Sequence, residues 1–154
     1  MSEATLVRLL VFRVGNLACA AEVDAVREIL PRLPTTRIPG APPVVAGLVN
    51  VRGTLVTVVE GWRALGQAAP ADGGGVGSTV LLEVGSARKL VGFTVDEVID
   101  MLAVSEATLE ERTGLAGVDP TLVRAVGRRD GQLFVVLDVT ALLGPVLTTQ
   151  GREQ

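Results

Sequence analysis

The sequence predicts an all-β protein with short helices, built from two similar small β lobes. The first observation is that the apolar residues, mostly Val and Leu, occur in blocks of about four to nine residues, the length of β-strands. The second is that Gly, Pro and Asp separate these blocks, as they do at turns. The third is an internal repeat. Since 48% of the 154 residues are hydrophobic, the chain can bury a core.

The first half of the chain contains five strand-like blocks. Gly15-Asn16 is a turn signal that joins the first two as an antiparallel hairpin, and prolines between residues 31 and 43 interrupt any regular element there. A short helical turn is expected at 62–65, ended by Gly66. The predicted strands of this half cover residues 6–14, 17–21, 25–30, 44–51 and 55–59.

A linker at residues 67–78 separates this half from a second set of strand-like blocks. Its glycines could suggest a phosphate-binding loop, but the following Lys-Ser/Thr and the strand–loop–helix setting are missing. A solvated linker is therefore favoured. Residues 105–120 have helical or irregular character, and 140–143 form a short helical turn. The predicted strands of this half cover residues 79–84, 89–98, 123–128 and 133–139.

Two segments of the first half recur in the second. Residues 23–30 align with residues 95–102 at an offset of 72, and residues 53–60 align with residues 131–138 at an offset of 78. A lobe of roughly 70 residues has only a marginal core by itself. We therefore expect the lobes to pack together, each as a closed or nearly closed barrel, because closure removes exposed sheet edges.

Positions that match in both halves are expected to serve the fold, and positions that differ are freer to carry function. Gly53 and Gly131 match and indicate tight turns with positive φ. Arg52 differs from its counterpart Asp130, and Arg-Gly is not a turn preference as Asp-Gly is.

The same comparison separates two further pairs. Asp24 and Asp96 recur in both halves, and we assign them a fold role such as a turn cap. Trp62, the single Trp, aligns with Thr140 in the second half. We favour packing in the core or between the lobes for Trp62 over a role as a binding anchor.

Composition excludes several classes of function. The chain has no His, and its single Cys, Cys19, lies in an apolar stretch that favours a buried role over a reactive thiol. The net charge of −3 lacks the basic excess of a nucleic-acid-binding protein. No apolar run predicts a membrane span and no basic N-terminal region predicts a signal peptide. We expect a cytoplasmic protein, and without His or a second Cys we expect neither His-based catalysis nor a metal site, and no cofactor.

Four motifs follow one another along the chain: Val26-Arg27-Glu28-Ile29, the proline cluster at 39–43, Asn50-Val51-Arg52-Gly53 and Val95-Asp96-Glu97-Val98. In this order they resemble the CheW-like domain family. Any one of them alone would be weak, whereas the combination is specific. The resemblance extends from about residue 6 to residue 147.

The resemblance implies a single domain over residues 6–147. Its fold would be two five-stranded β-barrels of SH3-like type packed on each other. The first lobe would cover about 14–66 and the second about 79–139, joined by the loop 67–78, with the terminal segments crossing between the lobes.

The resemblance also implies a function. Such proteins are non-enzymatic adaptors of bacterial chemosensory arrays, which couple the cytoplasmic tips of methyl-accepting chemoreceptors to the regulatory domain of a CheA-type histidine kinase. The implied location is cytoplasmic, with recruitment to receptor arrays. Other CheW-like domains, arranged in rings, would be further partners. Neither nucleic acid binding nor direct insertion into the membrane is expected.

The resemblance suggests two binding surfaces. The kinase-binding residues would be Val23, Val26, Arg27, Glu28 and Ile29. The receptor-binding residues would be Asn50, Val51, Arg52, Gly53, Val91 and Val95. For Glu28 the alternative is a solvated charge that discourages edge-to-edge aggregation, and for Arg52 it is an exposed ion pair with a carboxylate such as Glu60.

The sequence also departs from the family pattern after Arg52-Gly53. Where the family usually has Pro, Asp and Leu, this chain has Thr57, Glu60 and Gly61. One alternative is therefore a divergent array component that binds receptors and binds the kinase weakly or not at all. An alternative from another class is a small-ligand-binding β-barrel protein, which would need a cavity with converging polar groups.

Overall fold

The computed structural model describes residues 5–70, 76–111 and 118–151, which form two β-sheets and two helices. Helix α1 (Gly61–Ala64) is a single turn, and α2 (Val139–Gly151) ends the described chain. The strands are β1 (Leu6–Val14), β2 (Leu17–Glu22), β3 (Val26–Pro31), β4 (Val45–Val51), β5 (Thr54–Val59), β6 (Ser78–Val84), β7 (Lys89–Val95), β8 (Glu97–Ser105), β9 (Glu110–Glu111), β10 (Val123–Arg129) and β11 (Gln132–Leu137).

The strands form a six-stranded sheet and a five-stranded sheet. Sheet A has the order β8-β1-β2-β11-β10-β9, in which β9 is only two residues long, and sheet B has the order β3-β6-β7-β5-β4. Most neighbours are antiparallel, and each sheet has one parallel contact, β2 with β11 and β5 with β7. The predicted all-β class with two β units is confirmed.

The two sheets exchange strands between the halves of the chain. Sheet A takes β1 and β2 from the first half and β8 to β11 from the second. Sheet B takes β3 to β5 from the first half and β6 and β7 from the second. The lobe boundaries expected from the sequence, 14–66 and 79–139, therefore do not coincide with the sheets. A repeat shows which segments are alike, but it does not show which copy each segment pairs with.

The parallel contacts show that the exchange is symmetric. Thr57 of β5 lies opposite Val91 of β7, and Val135 of β11 lies opposite Cys19 of β2. These are the same pairing under the offsets of the repeat, 78 from residue 57 to 135 and 72 from residue 19 to 91. Each sheet is thus the counterpart of the other.

One hydrophobic core joins the two sheets. Phe12 of β1 and Phe93 of β7 are fully buried in it, with ring centroids 6.0 Å apart. Strand β1 is buried on both faces, because Leu10 faces this core while Leu9 and Val11 pack in a second cluster on the other side. Burial on both faces explains the nearly continuous apolar sequence of this strand.

The strand predicted at 89–98 is two strands in two different sheets. The chain bends at Asp96 between β7 and β8 and so passes from sheet B to sheet A. The Asp96 carboxylate accepts a hydrogen bond from the backbone N–H of Gly15 at 3.0 Å and lies 3.4 Å from the Arg13 guanidinium. Asp96 therefore fixes the β1–β2 turn, whereas its counterpart Asp24 is exposed in a 3-10 turn.

The helical turn expected at 140–143 belongs to the longer helix α2. The Asp138 carboxylate accepts a hydrogen bond from the Ala141 backbone N–H at 3.0 Å, which caps the helix start. The helix then packs Leu143 into the shared core and contacts β6 of sheet B. Of the segment 105–120, the described part forms 3-10 turns and β9, and residues 112–117 lie outside the described residues.

Candidate functional site

Strand β3 forms an edge of sheet B and carries four of the five residues predicted to bind a kinase. It pairs with β6 alone in its sheet. Arg27 and Ile29 are exposed, Ile29 to 41%, while Val26 and Glu28 are half-buried. Val23 precedes the strand in a 3-10 turn. Because successive side chains of a strand alternate between its faces, the edge presents charged and apolar groups side by side.

The turn between β4 and β5 holds Arg52 in an unusual backbone conformation. Arg52 has φ of +49° and Gly53 of +89°, the left-handed region that favours glycine. Asp130 and Gly131 adopt the same conformation, with φ of +51° and +79°. The side chain of Asn50 stabilises the first turn, because its Oδ1 accepts a hydrogen bond from the Gly53 N–H at 2.7 Å.

Arg52 and Glu28 form a direct ion pair between this turn and β3. The hydrogen bond to Glu28 raises the pKa of the Arg52 guanidinium. The carboxylate beside Arg52 is therefore Glu28, not the Glu60 suggested by sequence proximity. Glu28 was predicted to bind a kinase and Arg52 to bind a receptor, on two separate surfaces. The ion pair places both residues on one continuous surface.

A second cluster of charges holds the exposed side chain of Arg27 in β3. The Arg27 guanidinium lies 3.0 Å from the Glu83 carboxylate of β6, which also accepts a hydrogen bond from Arg88 Nε at 2.8 Å. The hydrogen bonds from Arg27 and Arg88 lower the pKa of the Glu83 carboxyl. The edge strand is thus tied to its neighbour by side chains as well as by its backbone.

Two of the predicted receptor residues are inaccessible. Val91 and Val95 of β7 are 0% exposed and belong to the core shared by the two sheets. They cannot line an open groove, because the parallel contact of β7 with β5 places this strand in the centre of sheet B. Asn50, Arg52 and Gly53 are exposed, and Val51 is half-buried.

Strand β8 is the counterpart of β3 and forms an edge of sheet A. Asp100, aligned with Glu28 by the repeat, lies 3.1 Å from the Arg129 guanidinium beside the β10–β11 turn. The Met101 N–H and Arg129 lower the pKa of the Asp100 carboxyl. Met101 is 55% exposed and Ile99 36%. The site residues predicted from the sequence did not include this edge. The repeat nevertheless aligns Glu28 with Asp100, and this alignment could have indicated that β8 is equivalent to β3.

The single Cys and a cavity between the sheets lie outside the two predicted binding surfaces. Cys19 is fully buried, and burial raises the pKa of its thiol far above the ordinary value. No group of His, Cys, Asp and Glu among the described residues could hold a metal ion. A cavity of about 340 Å³ lies between the sheets, but in its wall Glu83 pairs with Arg88 and Glu22 with Arg124. These pairs neutralise four of the charged side chains in the wall, which Asp24 and Asp138 also line.

Comparison with known proteins places this geometry in a family. The family model described as the CheW-like domain matches residues 8–145. The chain belongs to the CheW-like domain family. It is 30% identical over 135 residues to a chemotaxis protein CheW of Rhizobium meliloti (strain 1021), covering 87% of this chain and 85% of the relative. It is 24% identical over 139 residues to chemotaxis protein CheW of Bacillus subtilis (strain 168), covering 88% and 86%.

The fold of a solved CheW-like protein is also similar. The crystal structure of the scaffolding protein TtCheW from Thermoanaerobacter tengcongensis superposes with a TM-score of 0.79. Sequence identity is 17%, and the match covers 92% of this chain and 90% of that one. In the described part of the present chain, no helix is long and apolar enough to cross a membrane.

The departures from the CheW-like pattern have structural reasons at two positions. A Cβ on Gly61 would collide with the Thr94 carbonyl oxygen and lie 3.0 Å from the Phe93 ring, so the Leu of the family pattern has no space here. Glu60 accepts a hydrogen bond from the Trp62 indole N–H at 3.0 Å and is 3.4 Å from Arg63 Nε. Thr57 is buried in β5, and nothing in the structure explains why it replaces Pro.

Proposed function

We propose that this chain is a non-enzymatic adaptor of a chemosensory array, which couples the cytoplasmic tips of chemoreceptors to the regulatory domain of a CheA-type histidine kinase. The observation that carries the proposal is the β3 edge joined to the β4–β5 turn by the Glu28–Arg52 ion pair. Membership of the CheW-like family and the names of its chemotaxis relatives support it.

The chemistry of the β3 edge suits a protein partner. An edge strand offers backbone hydrogen-bonding groups on its open side, and exposed Ile29 adds apolar area beside the charges of Arg27 and Glu28. Charges placed around an apolar contact set partner choice and register. Contacts of modest affinity suffice in an array, because avidity multiplies them.

The exposed β4–β5 turn is our candidate for the receptor contact. Asn50 and Arg52 are exposed in this turn, next to the β3 edge proposed to bind the kinase. Val91 and Val95 are buried, so the proposed receptor surface does not include them. On this arrangement the receptor and the kinase domain would occupy adjoining areas on either side of the Glu28–Arg52 pair. The two partners would therefore influence each other's binding through one ion pair.

Calorimetric titration of the chain with the regulatory domain of the CheA-type kinase from the same cell tests the proposal. Glu28→Arg places two cations together at the edge, and we expect affinity to fall by about tenfold or more. Asp100→Arg on the counterpart edge β8 is the matched control, and it should bind as the wild type does. Circular dichroism verifies that both variants are folded.

Three results separate the alternatives. Equal binding by Glu28→Arg and wild type would refute the β3 assignment. No binding by a folded wild-type chain would favour the divergent component that binds receptors only, and titration with a receptor-tip hairpin would then decide. A small molecule that reproducibly raises the melting temperature, without binding of either protein, would favour the ligand-binding alternative.

A further inference from the structure

A second surface feature lies outside the residues of β3 and the β4–β5 turn. Two adjoining hollows of about 280 and 530 Å³ run between the segment 37–46 and helix α1. They share Pro42, Pro43 and Arg63 in their walls, and together we name them the Trp62 groove.

The walls of the Trp62 groove are held rigid by several contacts. The Trp62 indole N–H donates to Glu60 Oε2 at 3.0 Å, and the Arg63 guanidinium lies 4.4 Å above the centre of the Trp62 ring. On the opposite wall, two prolines restrict the backbone, and the Val44 carbonyl accepts a hydrogen bond from the Glu60 N–H at 2.8 Å. A wall ordered before binding loses little conformational entropy on binding.

The groove offers both apolar and cationic contacts. Trp62 is only half-buried against the core, and the wall beside it consists of Pro42, Pro43 and Val44. Aromatic residues and Arg are the side chains enriched at the centres of protein interfaces. The Trp62 ring and the stacked Arg63 guanidinium thus supply a large, rigid contact area of that kind.

The charge of the groove is positive although the chain as a whole carries −3. Arg37 is exposed and makes no ion pair or side-chain hydrogen bond among the described residues. Arg63 is 44% exposed, and the acidic residue in the same wall, Glu60, already binds Trp62 and Arg63. Two guanidinium groups face a hollow that contains one carboxylate, so a further carboxylate is favoured there.

We propose that the Trp62 groove docks a short acidic segment of a partner protein, in which an apolar side chain stands beside one or more carboxylates. The apolar side chain would pack on Trp62 and the prolines, and the carboxylate would bind Arg37 and Arg63. The inference is independent of the proposed adaptor function, since none of the β3 residues lines this groove.

Selection from a phage library of random dodecapeptides tests the chemistry of the partner. The library is selected on the immobilised chain and, in parallel, on Arg37→Glu. We expect the wild-type selection to enrich peptides with Asp or Glu next to an apolar residue, and the variant selection not to. Equal enrichment on the two baits, or no acidic enrichment on the wild type, would overturn the proposal.

The enriched peptide is then synthesised and titrated while tryptophan fluorescence is recorded. Trp62 is the single Trp of the chain, so the emission comes from a side chain in the wall of this groove. We expect a saturable shift in emission, with affinity weakened about tenfold in Arg37→Ala. Arg8→Ala, which removes an exposed Arg without an ion pair among the described residues, is the control and should bind unchanged. Binding without an emission change, or the same change with inorganic phosphate alone, would refute a peptide-docking groove.

Discussion

At Gly61, the space that a side chain would need is already occupied. The nearest groups are the Thr94 carbonyl oxygen and the Phe93 ring, both in β7 at the centre of sheet B. The Gly61 N–H also donates to Thr94 Oγ1 at 3.0 Å, so the backbone cannot withdraw without losing a buried hydrogen bond. The position is therefore set by packing.

We expect Gly61→Ala to lower the free energy of unfolding by about 1–3 kcal/mol, the usual cost of overpacking a core. Urea denaturation measures the change. Gly144→Ala is the control, because a Cβ there meets no atom closer than 4.0 Å and Ala favours the helix α2 in which it lies. A Gly61→Ala chain as stable as the wild type would show that β7 can move aside.

The sequence singled out Arg52 correctly as unlike its counterpart Asp130, but it could not identify the group that Arg52 binds. Glu28 is 24 residues away along the chain. Its approach to Arg52 depends on how β3 and the β4–β5 hairpin are placed in sheet B, and strand order of that kind is a property of long-range packing. Burial of Val91 and Val95 was missed for the same reason.

At the scale of the element, the edge strand β3 is fastened to β6 by the carboxylate of Glu83. Its side chain is 11% exposed and accepts hydrogen bonds from Arg27 and Arg88. Because these bonds lower the pKa of Glu83 in the folded state, the group stabilises the fold at neutral pH. That contribution is lost as pH falls below about 5 and the carboxylate takes up a proton.

We therefore expect the urea midpoint of the wild type to fall with acidification from about pH 5 to pH 3 more steeply than that of Glu83→Gln. The midpoint is measured by fluorescence or circular dichroism across this range. Replacing Arg27 and Arg88 together by Gln should flatten the pH dependence in the same way, since it removes the groups that lower the pKa. An undiminished slope in Glu83→Gln would contradict the assignment.

Some strand boundaries can be predicted from the local sequence, and others cannot. The hairpin of β1 and β2 and the turns at Gly53 and Gly131 follow from composition and turn chemistry, and the structure has them. The break between β7 and β8 at Asp96 interrupts a run of strand-forming residues, and it exists because the chain must pass from sheet B to sheet A. No local preference specifies that passage.

At the scale of the whole molecule, the exchange of strands makes each half depend on the other. Neither half contains all the strands of either sheet, and the predicted linker 67–78, of which residues 71–75 lie outside the described residues, separates the two halves in sequence. We expect that cutting the chain at a protease site inserted after Pro70 leaves the two pieces bound in a one-to-one complex. Size-exclusion chromatography with mass determination measures this.

Each piece prepared alone should lack a cooperative unfolding transition, and mixing the two should restore one. In the first piece, the hairpin of β1 and β2 lacks its neighbours β8 and β11. In the second piece, the hairpin of β6 and β7 lacks its neighbours β3 and β5. Each hairpin therefore exposes both of its edges, although it is buried in the intact protein. A cooperative transition in either isolated piece would show that the halves are autonomous.

The same topology constrains synthesis on the ribosome. Strand β2 acquires its parallel neighbour only when β11, which ends at Leu137, has left the exit tunnel, so sheet A cannot be completed until translation has passed that residue. Until then the edge of β2 that later pairs with β11 is available to chaperones and to other nascent chains. A translational pause anywhere between β2 and β11 would prolong this exposure, whatever the stability of the finished protein.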